Sequence, residues 1–113
     1  MHELSLVTAI LNKAETVIAE QRATGLVAVH LRRGPLSCAN PDSLHFCFPL
    51  AIQGTPLEGA RLVIHDEPLE LLCTRCEQIT KTPQTTLKCG YCASEEVEVL
   101  SGKDLIIDSL ELY

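Results

Sequence analysis

The stretch Cys73-Thr74-Arg75-Cys76, answered twelve residues later by Cys89-Gly90-Tyr91-Cys92, decides how this chain is read. A Cys-x-x-Cys turn presents two sulfurs to one ion, and two such turns complete a tetrahedral shell of four thiolates. The residues between them, with Thr82-Pro83-Gln84 at the centre, are polar and cannot build a core of their own. Metal binding would supply the missing folding free energy, on the order of 10 kcal/mol for a structural zinc. A closed shell leaves no position for water, so a site at Cys73, Cys76, Cys89 and Cys92 is expected to be structural and not catalytic. Buried thiols or a disulfide are the plainer alternative, disfavoured in a reducing compartment. Iron takes the same four sulfurs in rubredoxin-like sites. Zinc(II) is expected, because nothing else in the chain suggests electron transfer.

Working outward, 113 residues make one domain, or one domain carrying a small module. With 46% hydrophobic and 21% charged residues the chain should fold. No apolar run approaches the roughly 20 residues needed to cross a bilayer, so no membrane insertion is expected. The start lacks a basic segment followed by an apolar core, so a cytoplasmic location is expected. Nine Lys+Arg against fifteen Asp+Glu give a net charge of −6, and there are only two Phe, two Tyr and no Trp. Both features argue against a nucleic-acid partner, which needs positive charge and stacking platforms. The segment 73–93 has three bases and one acid, but four thiolates and Zn²⁺ bring its net charge to about zero. A zinc-ribbon module for protein interaction or nucleic-acid binding is the alternative function. The chain has no Gly-rich phosphate loop and no plausible nucleophile–base pair, so it is not expected to be an enzyme.

The flanking sequence reads as a two-layer α+β fold. Leu4, Val7, Ile10/Leu11, Ala14 and Val17/Ile18 recur at helical spacing and predict a helix over residues 3–22, stopped by Thr24-Gly25. A strand follows over 26–32. Asn40-Pro41 then caps a second helix carrying Leu44, Cys47, Phe48 and Ala51, with Pro49 expected to kink it. Strands are predicted over 60–65, 67–72, 96–101 and 105–112. The reading is two helices on a small mixed β-sheet with an inserted four-cysteine, zinc-ribbon-like module. Residues 1–72 and 94–113 form the main domain, whose sheet continues on either side of the module at 73–93.

The chain opens Met1-His2-Glu3. A free α-amine, a deprotonated backbone amide and the His2 imidazole can form fused chelate rings around one ion, and planar nitrogen donors suit Ni²⁺ or Cu²⁺. His30 and His65 in strands, and His45 on the second helix, lack ligand spacing with one another. Cys38 and Cys47 fall outside the paired motif and read as small buried hydrophobes. Asp42 reads as a helix-end acid, and Glu95, Glu96 and Glu98 as a solvated strand face and turn.

Over nearly its whole length the sequence resembles the HypA/HybF nickel chaperones of [NiFe]-hydrogenase maturation. The resemblance rests on Met1-His2-Glu3-Leu4-Ser5, Arg33-Gly34-Pro35-Leu36-Ser37, Gly54-Thr55-Pro56-Leu57-Glu58-Gly59-Ala60, the four cysteines, Leu100-Ser101-Gly102 and Ser109-Leu110-Glu111. It implies that Ni(II) is carried at the N-terminus through His2, backbone nitrogens of His2 and Glu3, and the Met1 amine. It implies a structural Zn(II) at Cys73, Cys76, Cys89 and Cys92. The function it implies is delivery of Ni(II) to the hydrogenase large subunit during maturation, and in some bacteria to urease. A hydrogenase-maturation GTPase and the large subunit are the implied partners, and a homodimer is left open.

Overall fold

A computed structural model of the chain describes residues 2–113, and of His2 and Glu3 the backbone alone. The elements run α1 (His2–Gln21), β1 (Leu26–Arg33), α2 (Pro41–Ile52), β2 (Arg61–Asp66), β3 (Leu69–Cys73), β4 (Ile79–Thr82), β5 (Val97–Ser101) and β6 (Leu105–Leu112). The two-helix, two-layer architecture with a four-cysteine ribbon is the one expected. Among the described residues no helix is long and apolar enough to cross a membrane.

In α1, Val7, Ile10 and Ala14 are buried, spaced three and four residues apart on one stripe. Leu4 continues that stripe but is 46% exposed, so the core begins one turn later than the pattern suggested. The helix stops before Thr24-Gly25. Ala23 N–H donates to Ile18 O (3.0 Å) and Arg22 N–H to Ala19 O (3.3 Å), with Arg22 in the left-handed region at φ 54°. This is a Schellman end built on arginine where glycine is usual. At α2 the Asn40 side chain accepts from the amides of Asp42 (2.9 Å) and Ser43 (3.2 Å), as its capping role requires. Asp42 stands in the first turn, where an acid favours the helix dipole. Leu44, Phe48 and Ile52 are buried, and the helix runs through Pro49 to Ile52.

The strands form two sheets of three, ordered β2–β1–β6 and β4–β3–β5. In the first, Tyr113 N–H meets Gly25 O and Gly34 N–H meets Asp104 O, so β6 runs against β1. Glu67 N–H, just past the end of β2, meets Arg33 O at the end of β1, so these two run the same way, joined through α2 as a parallel pair must be. The second sheet is antiparallel, with Leu72 opposite Ile79 and Cys73 opposite Val97.

The second sheet corrects one expectation. Residues 67–72 and 96–101 do not extend the main sheet on either side of the cysteines. They pair with each other and with β4, which the sequence reading missed in the Thr-rich segment. The cause is local: the first Cys-x-x-Cys is itself the hairpin turn from β3 to β4, closed by Cys73 N–H to Gln78 O at 3.0 Å.

The chain divides into two compact units. The first takes in 2–31, 39–64 and 107–113 and holds both helices and most of the mixed sheet. Its core is Val7, Ile10, Ala14, Leu26, Ala28, Val29, Leu31, Leu44, Phe48, Ile52 and Leu57 with Ala39. At about 1.5–3 kcal/mol for each fully buried large apolar side chain, this unit has a conventional hydrophobic core. The second takes in 32–38 and 65–106, a larger body than the 73–93 segment alone. Among its described residues the fully buried apolar ones are Leu69, Leu71, Cys73 and Cys89, two of them metal-type cysteines.

Within the second unit three backbones meet at Gly34 and Gly102. A Cβ on Gly34 would lie 2.0 Å from Gly102 O, and one on Gly102 would lie 2.7 Å from Leu69 Cα. Gly102 also has φ 98°, closed to side chains at low cost. Leu36 N–H donates to Gly102 O at 3.0 Å, so neither segment can retreat without breaking a bond. Gly34→Ala and Gly102→Ala are each expected to lower stability by about 1–3 kcal/mol, through overpacking and backbone strain respectively. Urea unfolding measures the loss, and an unchanged midpoint for Gly34→Ala would contradict this packing.

Candidate metal centre

The four sulfurs of Cys73, Cys76, Cys89 and Cys92 lie within 4.8 Å of one another. Cys73 Sγ and Cys92 Sγ are 3.6 Å apart, and Cys76 Sγ and Cys89 Sγ 3.5 Å. A regular tetrahedron with metal–sulfur bonds of about 2.3 Å has edges of about 3.8 Å. The donor set therefore fits a zinc-sized ion with shifts of about 1 Å or less.

Two turns of the same design build the cluster. In the first, Cys76 N–H donates to Cys73 Sγ (3.4 Å) and Glu77 N–H to Cys73 O (3.0 Å). In the second, Tyr91 N–H (3.3 Å) and Cys92 N–H (3.4 Å) donate to Cys89 Sγ, and Ala93 N–H donates to Cys89 O (3.0 Å). The residue after each turn takes the left-handed conformation, Glu77 at φ 63° and Ala93 at φ 62°. Neither is glycine, so spacing announced the turns but nothing in the sequence announced these angles. Thr80 of β4 ties the second turn to the sheet. Its Oγ1 accepts from Gly90 N–H at 2.9 Å, and its methyl lies 3.2 Å from the place of a Gly90 Cβ. Thr80 is the supporting residue that was missed, because its strand was missed.

These amides sort the thiols. The Cys76 amide, opposed by burial and aided by the Arg75 amide, holds Cys73 below its ordinary value. The Cys92 amide does the same to Cys89, bringing it to about 6 against the pull of burial. At Cys76 the Gln78 amide acts downward, but burial and the sulfurs of Cys89, Cys73 and Cys92 outweigh it and push the thiol up to about 12. Cys92 is raised too, the Ser94 amide being overcome by burial and by Cys73 and Cys89. N–H groups aimed at the leading sulfur of each turn suit an ionised thiolate, the form that ligates metal.

The other candidates stand apart from this cluster. Met1 and the side chains of His2 and Glu3 lie outside the described residues. Cys38 is exposed and Cys47 half-buried on α2, and the described metal-type cluster includes neither. His30 pairs with Glu111 across β1 and β6 at 3.0 Å, a structural contact. His45 and His65 are exposed, as are Glu95, Glu96 and Glu98.

Comparison with known proteins follows this geometry. A family described as "Hydrogenase/urease nickel incorporation, metallochaperone, hypA" matches residues 1–112. The chain belongs to the HypA family. It is 40% identical over 115 residues to a hydrogenase maturation factor HypA of Desulfosudis oleivorans, covering 99% of this chain and 98% of that one. It is 36% identical over 112 residues to the HypA of Chloroflexus aurantiacus, covering 98% of each. A HypA solution structure superimposes with a TM-score of 0.76 at 25% identity, covering 100% of this chain and 97% of the other. The solution structure of the Ni metallochaperone HypA from Helicobacter pylori agrees in fold, with a TM-score of 0.71 at 23% identity over 97% and 96% of the two chains. HypA proteins are metallochaperones for nickel incorporation and are not known as enzymes.

Two outcomes follow for the cluster. Near neutral pH the metal-free chain should release at least two protons per zinc taken up, from Cys76 and Cys92, whose thiols titrate well above that pH. Zinc affinity should then fall further as pH drops through about 6, where Cys89 also takes a proton. Indicator titration in weak buffer and chelator competition at two pH values read both, and a pH-independent affinity would contradict the assignment. Separately, Ala93→Gly should raise stability by up to about 1 kcal/mol, since left-handed backbone costs a non-glycine residue about 1–2 kcal/mol and glycine regains part of this. Thermal unfolding of the zinc-loaded chain is the measurement.

Proposed function

We propose that this chain binds Ni(II) as cargo at its N-terminus and hands it to the [NiFe]-hydrogenase large subunit during maturation, with urease as a second client. The ligands in this reading are the Met1 amine, the His2 imidazole, and the backbone nitrogens of His2 and Glu3. Zn(II) at Cys73, Cys76, Cys89 and Cys92 is structural. In this reading nickel is carried within residues 1–72 and 94–113, at the start of the first unit, and zinc within 73–93. The work is stoichiometric and cytoplasmic, done with a maturation GTPase, and the chain can act as a homodimer. No enzymatic step is involved.

The observation that carries this reading is a family match spanning residues 1–112, and so including the Met1-His2-Glu3 start. A feature of α1 supports it. The helix begins at His2, and the first four N–H groups of any helix lack an intrahelical acceptor. The amides at the start of α1 are therefore free of the ladder that would otherwise resist their deprotonation. The positive end of the helix dipole opposes a bare cation there. Two deprotonated amides cancel the charge of Ni²⁺, so the neutral complex is tolerated while the free ion is not. Every proton returned to this ligand set weakens the complex, so nickel is released as pH falls. That lability suits a donor, since a carrier must bind weakly enough to let go.

Nickel titration tests the assignment. The native chain should take one Ni(II) with a planar absorption spectrum. His2→Ala, or a short extension before Met1, should abolish it while zinc content stays unchanged. Equal high-affinity nickel binding by either variant would refute the site.

A further inference from the structure

The four thiols are unequally shielded. Cys73 and Cys89 are buried, Cys76 is half-buried and Cys92 is exposed. The sulfur in contact with Cys92 belongs to the other turn: Cys73 Sγ, at 3.6 Å. Both residues adjoining Cys92, Tyr91 and Ala93, are exposed, so this cysteine lies at the open side of the cluster and not against the core. An exposed cysteine beside a second, buried one is the arrangement that lets a thiol be oxidised and then resolved.

We infer that Cys92 is the entry point of a peroxide-sensitive switch in which a Cys73–Cys92 disulfide, bridging the two turns, opens the four-sulfur cluster and releases its zinc. The inference rests on the zinc reading above. In the first step Cys92 Sγ attacks one oxygen of hydrogen peroxide. The O–O bond breaks, hydroxide leaves, and Cys92 becomes a sulfenic acid. In the second step Cys73 Sγ attacks the Cys92 sulfur, the S–O bond breaks, and a second hydroxide leaves. Two thiolates have lost two electrons and peroxide has gained them. The disulfide removes two of four donors, which a structural zinc site does not survive. The second unit then keeps only Leu69 and Leu71 as fully buried apolar side chains outside the cysteines, so the polar run 83–88, beyond the β3–β4 pairing, has little left to organise it. A second equivalent can join Cys76 to Cys89, whose sulfurs are 3.5 Å apart. A reductant and zinc reverse the change, because a disulfide is a reversible rung of thiol oxidation.

The test uses the full chain carrying Cys38→Ser and Cys47→Ser, which leaves only the four cluster thiols. The zinc-loaded protein is exposed to hydrogen peroxide, quenched with an alkylating reagent and mapped by mass spectrometry, while a chromophoric chelator follows released zinc. The expected first linkage is Cys73–Cys92, with one zinc lost per chain as that first disulfide forms and recovery after reduction with added zinc. A first disulfide within one turn, Cys73–Cys76 or Cys89–Cys92, would overturn the inference. So would zinc retained after Cys92 is oxidised, or a cluster inert to peroxide; both would leave the zinc reading standing. A chain that purifies with no zinc would overturn the two together.

Discussion

Convergence of four sulfurs on a point is the constraint from which the second unit takes its form. Four sulfurs within 4.8 Å are repulsive when ionised and unsatisfied when not, so the arrangement has physical sense around a cation. The surrounding chain has little else to hold it. Its polar loop contributes no core, and its sheet of short strands has one well-buried row, Leu69, Leu71 and Cys73. Even that row ends in a ligand. The β3–β4 hairpin turns at the first Cys-x-x-Cys, and the Thr80–Gly90 hydrogen bond fastens the second to β4. Metal geometry and sheet geometry are thus one problem solved together.

The first unit obeys a different physics. Its helices pack by apolar burial, its caps are satisfied by Asn40 and by the Schellman bonds at Arg22, and its sheet is closed by backbone pairing. Among the described residues no metal-type cluster takes part in that packing. The two units therefore differ in what organises them: one converges on four sulfurs, the other on an apolar core.

Much of this was legible in advance because it is local. Helical spacing located α1 and α2 within a residue or so, and Asn40-Pro41 located a cap that the structure reproduces. The four cysteines came together as their spacing required. Elements whose partners lie far along the chain were harder to read. The period of 67–72 and 96–101 showed strands but not which sheet they join, since pairing depends on neighbours that alternation does not name. β4 was hidden in a short Thr-rich run whose burial comes only from β3. Leu4 matched the apolar stripe yet remains exposed, because a helical face is longer than the core it covers. Arg22, Glu77 and Ala93 adopt left-handed backbone without the glycine that would have marked them.

By itself, then, the amino-acid order determined the ligand chemistry, the helix periods and the cap, because each depends on residues a few positions apart. The fold alone decided that β3, β4 and β5 stand as a separate sheet, that Gly34 and Gly102 must be bare, and that Cys92 faces solvent while Cys73 does not. These depend on segments tens of residues apart meeting in space, where shape, not spacing, sets what each atom touches.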